Sequence, residues 1–130
     1  MNTDPALQEQ LNDMLSKARR SLKAARGHLA EGDFDFAASR AYYGAFYAME
    51  AALLSKGVAC STHGGVLTVF SERFLKTGTL PTGFGAKAAR LFRERQVGDY
   101  EFDVSVNVSD AEEDVEIASD IVLAIEQLLS

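Results

Sequence analysis

The sequence predicts an all-α fold, an up-and-down bundle of four to five helices in one domain spanning residues 1–130. Three observations predict it. Apolar residues recur at three- and four-residue intervals along most of the chain. Only two prolines interrupt 130 residues. Helix starts and stops stand where those periodic stretches begin and end.

The first helix begins at Asp4-Pro5, a capping residue followed by proline at the first helical position. Leu7, Leu11, Met14, Leu15, Ala18, Leu22, Ala25 and Leu29 follow at helical spacing, and Gly32 ends it. Asp33 is the expected cap of the second helix, which runs towards Gly57. That helix is apolar nearly all round, so it is expected at the centre. One stripe is Tyr42, Phe46, Met49 and Leu53. A second, small enough for close approach, is Ala37, Ala41, Gly44, Ala48 and Ala52. A third is Phe36, Arg40, Tyr43 and Tyr47.

A loop with Cys60, Ser61 and Thr62 leads to His63. The third helix is expected over about 65–77, with Val66, Leu67, Phe70, Phe74 and Leu75 inward. The fourth is expected over about 84–97, with Gly98 as its stop. Phe102, Val104, Val106 and Val108 then alternate with polar residues. One strand alone has no partner, so an extended strap along the bundle is expected. A capping box, Ser109 with Glu112, would open the last helix, whose core stripe is Val115, Ala118, Val122, Ile125 and Leu129.

Charge is unevenly spread. The net −6 divides into −1 over residues 1–50, +5 over 51–95 and −10 over 96–130. An acidic chain is a poor non-specific coat for nucleic acid, but the middle third can still present a local positive field. The single Cys60 cannot form an internal disulfide, and a cytoplasmic setting is expected. No apolar run approaches the length of a membrane span, and the N-terminus lacks a basic-then-apolar signal, so no membrane association is expected. Two histidines and one cysteine, none at ligand spacing, lead to an expectation of no metal and no cofactor.

The richest segment is "ARLFRERQVGDYEFD". Helical spacing puts Lys87, Arg90 and Arg93 on one side and Ala88, Leu91, Phe92 and Arg95 on the other. Arg95 therefore sits on the apolar face, with Asp99 and Tyr100 just beyond the expected stop. It is either a structural ion pair or an anion-handling site, since an arginine fork can bind two oxygens at once. His63 either caps a helix or reaches a cleft. Arg40, beside Tyr43 and Tyr47, needs a carboxylate; Asp99 or Glu50 could supply it.

These residues carry a resemblance. "AASRAYYGAFYAMEAALLSKG", then His63 before a phenylalanine-rich helix, then Arg95 with "GDY" after it, resembles the HEPN domain family in its small prokaryotic branch, over roughly residues 5–128. The resemblance implies a helical bundle that usually dimerises. It also implies either a metal-independent ribonuclease, often a toxin paired with a small nucleotidyltransferase, or a nucleotide-binding or non-catalytic partner. The ribonuclease version places a histidine some four to six residues after an arginine, with both subunits contributing to one cleft. Here Tyr100, not histidine, stands five positions after Arg95. Tyrosine, with a pKa near 10, is a far weaker base than histidine.

The expected function is therefore a nucleotide- or RNA-binding module of a toxin–antitoxin-type or nucleotidyltransferase-associated system. The alternatives are an endoribonuclease with an altered motif and a non-catalytic structural partner. The candidate ligand-binding residues are Arg40, Tyr43, Arg95 and Asp99. Any catalytic role would fall to Arg95, Tyr100 and His63.

Overall fold

The computed structural model describes residues 4–100, 102 and 106–130. Helix α1 covers Pro5–Glu31. The Asp4 carboxylate accepts from the Ala6 N–H at 3.0 Å. Gly32 ends the helix in the left-handed region, at φ 84°, with its own N–H turned back to the last carbonyls. Helix α2 is Phe34–Ser55. Helix α3 is His63–Phe70 and runs directly into a π-helical turn, Ser71–Leu75. Helix α4 is Phe84–Tyr100 and helix α5 is Val108–Leu129. The all-α bundle expected from periodicity is the fold observed.

The central position of α2 follows from its composition. It packs against α1, α5, α4 and α3. Tyr42, Met49 and Leu53 are almost completely buried and Phe46 nearly so. Each such side chain contributes about 1.5–3 kcal/mol through burial. The small stripe lets α1 come close: a Cβ added at Gly44 would lie 3.1 Å from Leu22 Cδ2 and 3.3 Å from the Ala18 carbonyl oxygen. Ile121 and Ile125 of α5 and Leu91 of α4 close the core from the other sides.

Several boundaries differ from the sequence reading. Gly98 does not stop α4, which continues through Tyr100. Its lack of a side chain serves packing instead: a Cβ there would lie 2.8 Å from the Asp35 carbonyl oxygen in the first turn of α2. Asn107, not Ser109, caps α5, its side-chain oxygen accepting from Asp110 N at 2.8 Å. Asp33 precedes α2 but makes no side-chain cap bond. The third helix starts two residues early and its second half widens into the π turn, which keeps both Phe74 and Leu75 inward. Of the proposed strap, Val104 lies outside the described residues, Phe102 is exposed, and Val106 is buried with Ala37, Ala38 and Ala111.

Candidate functional site

The site is built where α2, α3 and α4 meet. Thr62 caps α3, its hydroxyl accepting from Gly65 N at 2.9 Å, which fixes His63 at the first helical position. Gly65 permits this turn, because a Cβ there would come within 2.8 Å of that hydroxyl. The His63 ring stacks on Phe46 of α2, with centroids 4.3 Å apart. One turn earlier on α2, the Tyr42 hydroxyl lies 2.8 Å from His63 Nδ1.

Arg95 reaches the same nitrogen from α4, with its NH2 group 3.2 Å from His63 Nδ1. Its guanidinium carbon lies 5.1 Å from the Tyr42 ring centroid and 5.6 Å from those of Tyr43 and Phe92. Asp99 sits one turn further along α4 and approaches Arg95 NH1 only to 3.5 Å. Arg95 is buried, and its Nε has no hydrogen-bond partner among the described residues. Aromatic faces therefore supply much of its surroundings, an arrangement open to arginine because its planar cation is weakly hydrated.

The geometry fixes the protonation of His63. A guanidinium can only donate, so Nδ1 must offer a lone pair and the ring proton sits on Nε2. Burial, followed by the charge of Arg95, holds the His63 pKa below its ordinary value. Burial also pushes the Tyr42 hydroxyl up to about 12, against the pull of Arg95, so it remains a neutral donor. The cluster at neutral pH is one fixed cation, one neutral imidazole and one neutral phenol.

The structure thus brings Arg95, His63, Asp99 and Tyr43 together, with Arg40 joined through Tyr43. Arg40 lies 4.8 Å over the Tyr43 ring. Neither expected carboxylate pairs with it, and it makes no ion pair among the described residues. Burial raises the Glu50 pKa above its ordinary value, against the opposing charge of Lys17 on α1. Asp99 does not fold back after a chain turn; it is helical, an i,i+4 neighbour of Arg95. Tyr100 is not in the cluster. Five residues place it about 140° around the helix from Arg95, where it is 71% exposed. Sequence reading missed Tyr42, Phe46 and Phe92 as walls of the site and counted the first two as core. The available signal was spacing: Phe92 precedes Arg95 by three, and Tyr42 precedes Phe46 by four.

A separate grouping, His28, Glu31 and Asp33, gathers ligand atoms within 4.8 Å of one another where α1 turns into α2. It crosses a helix stop, so residue spacing alone did not reveal it. No helix among the described residues is long and apolar enough to cross a membrane.

A small all-α bundle packed around one central helix is the class of domain this fold defines. The chain belongs to the HEPN domain family, whose sequence pattern matches residues 11–128. A UPF0332 protein of Thermotoga maritima is 34% identical over 113 residues, covering 87% of this chain and 86% of that protein. A Methanocaldococcus jannaschii protein, whose name proposes it as a toxin, is 33% identical over 103 residues, covering 79% of this chain and 70% of its own. Among solved structures, the crystal structure of an archaeal HEPN homologue superposes with a TM-score of 0.75 at 18% identity, covering 92% of this chain and 98% of that one. One from Thermus thermophilus gives 0.78 at 22%, covering 91% and 97%. These two likenesses establish the fold.

Proposed function

We propose that this HEPN domain binds an RNA or nucleotide phosphate on the face formed by Arg40, Tyr43, His63 and Arg95. On this reading it acts as a homodimer in the cytoplasm, as one component of a toxin–antitoxin-type or nucleotidyltransferase-associated system. The observation that carries the reading is the placement of Arg95. Its cation is held in position by rings and a neutral imidazole, while its only carboxylate neighbour among the described residues stays at 3.5 Å. A phosphate oxygen is a stronger partner for a guanidinium than such a long contact. Arg40 adds a second cation on the same stripe of α2, and Tyr43 offers a ring face for a base. The toxin name borne by the M. jannaschii relative supports the wider setting.

Binding is preferred over cleavage because of His63. A general base needs a free lone pair, but the Nδ1 lone pair faces Tyr42 and Arg95, and Nε2 carries the proton. His63 is thus a donor to a ligand oxygen. Tyr100, exposed and about 140° around the helix from Arg95, does not take the missing role.

Titration calorimetry with nucleotides and a short single-stranded RNA tests the reading, beside Arg95→Lys and Arg40→Gln. Wild type is expected to bind and both variants to bind more weakly, with the fold retained. RNA incubated with the protein without metal should remain intact. Sedimentation at micromolar concentration should give twice 14.1 kDa. Absence of any binding, together with unfolding of Arg95→Lys, would make Arg95 a structural residue and remove the proposal.

A further inference from the structure

A cavity of about 410 Å³ opens at the other end of the bundle from the Arg95 cluster. It lies some 20 Å along α2 from Tyr43, since thirteen residues of helix rise about 1.5 Å each. Its volume falls within the roughly 300–1,000 Å³ range of small-molecule sites. The floor is aliphatic, made by Leu7 and Leu11 of α1 and by Leu128 and Leu129 of α5, with Phe74 beneath. Leu11 and Phe74 are fully part of the core, whereas the other three leucines are half-buried and line the opening.

The rim is different in kind. Lys56, just after α2, and Arg73, in the π turn, both line the cavity. Both are exposed, and neither makes an ion pair among the described residues. No carboxylate side chain lines the cavity among the described residues. In a chain of net charge −6, two cations with neither an ion pair nor a lining carboxylate side chain among the described residues form a local exception. Thr77, Thr79, Gln8 and Ser55 also line the cavity. The Thr77 hydroxyl lies 2.9 Å from both the Arg73 carbonyl oxygen and the Thr79 hydroxyl.

The π turn is the independent observation. Lys76 N–H reaches back five residues to the Ser71 carbonyl oxygen at 2.9 Å. This wider turn keeps Phe74 and Leu75 in the core while Arg73 stays outside at the cavity mouth. Such turns are rare and frequently occur at functional sites.

We infer that this cavity binds an aliphatic chain carrying one anionic head, a carboxylate or phosphate monoester, with the chain on the leucine floor and the head between Lys56 and Arg73. The site is separate from the Arg95 cluster, so the two readings stand or fall independently.

Calorimetric titration with decanoate, decyl phosphate and decanol, each below its aggregation limit, tests it. Amide chemical shifts locate the binding. Decanoate, decyl phosphate or both should bind saturably and move the amides of Lys56, Thr77 and Thr79 but not those of Arg40, Tyr43 and Gly98. The tighter of the two anions identifies the head. Decanol should bind more weakly than the tighter anion. Lys56→Gln/Arg73→Gln, at exposed positions where the fold is retained, should weaken that anion about fivefold, and added salt should weaken it further. Three results would overturn the inference: no saturable binding by either anion, equal affinity for decanol or in the double variant, or shifts confined to the Arg95 face.

Discussion

Two arginines on α4, five residues apart, lead opposite lives. Arg90 is wrapped in carboxylates. Its Nε meets Asp114 at 3.0 Å and its NH1 meets Glu113 at 3.1 Å, with Glu94 and Asp110 each at 3.5 Å. Arg95 is more deeply buried yet has, among the described residues, one carboxylate at 3.5 Å and is otherwise set among aromatic rings and His63. Arg90 spends its donors tying α4 to α5. Arg95 is positioned by its surroundings without being neutralised by them. Charge that is matched within the fold serves stability, whereas charge left under-matched at an aromatic face is available to a ligand.

The largest expected effect is on the matched side. Arg90→Ala strands Asp114, which is completely buried and already has one oxygen without a partner among the described residues. It should cost about 3 kcal/mol in a denaturant titration. A cost below about 1 kcal/mol would break the comparison, since Arg90 would then be no more structural than a surface ion pair.

Next comes the placement of Arg95. Gly98→Ala forces α4 off the Asp35 carbonyl oxygen, where the added carbon would lie at 2.8 Å. The expected loss is about 1–3 kcal/mol. The ring proton signals of Tyr42 and His63 should shift with it, because the same helix turn carries Arg95.

The pH dependence separates the two clusters by sign. Burial pushes the Asp114 carboxyl up to about 7, against the pull of Arg90. The folded state then holds a proton that the unfolded state releases above about pH 4. This contribution is complete below that value and fades as pH rises through about 7, by at most about 1.4 kcal/mol per pH unit. Asp114→Asn should remove that decline. His63 runs the other way: its pKa is lowered, so its contribution is complete above about pH 6.5 and is lost as pH falls through the folded value. An NMR titration should place His63 below that figure. Arg95→Met should bring it part of the way back, because burial, the larger cause, remains.

The smallest effect sharpens the comparison most. Arg95→Lys keeps the charge but gives up the hydrogen bond to His63 and the packing of the planar cation on the rings, so it should cost about 1 kcal/mol. A loss near that of Arg90→Ala would place both arginines in the same structural class.

The sequence showed the fold well because helix periodicity and stops are local properties. Leu11, Leu15, Ala18 and Leu22 face the core as their spacing requires. It misled where a neighbour decides. Gly98 looks like a stop until α2 is laid against it. Arg90 looks solvated beside Lys87 and Arg93 until the carboxylates of α5 fold over it. Arg95, His63, Tyr43 and Asp99 were each legible as unusual side chains. The absence, among the described residues, of a carboxylate for Arg40, and the use of Tyr42 as a partner of His63, depend on tertiary distances.

The acid-rich α5 has a consequence for how any nucleic acid would be held. By enclosing Arg90, it removes that cation from the pool that could release condensed counterions on binding. On the proposed reading, Arg40 and Arg95 are the two cations that one subunit's described residues leave on the ligand face. A single strand should then show a salt slope of only about −1.4 in log–log form, shallow beside that of a protein with a broad basic surface. Grip of this kind relies more on stacking than on counterion release, so affinity should fall less steeply with salt than it does for such a surface.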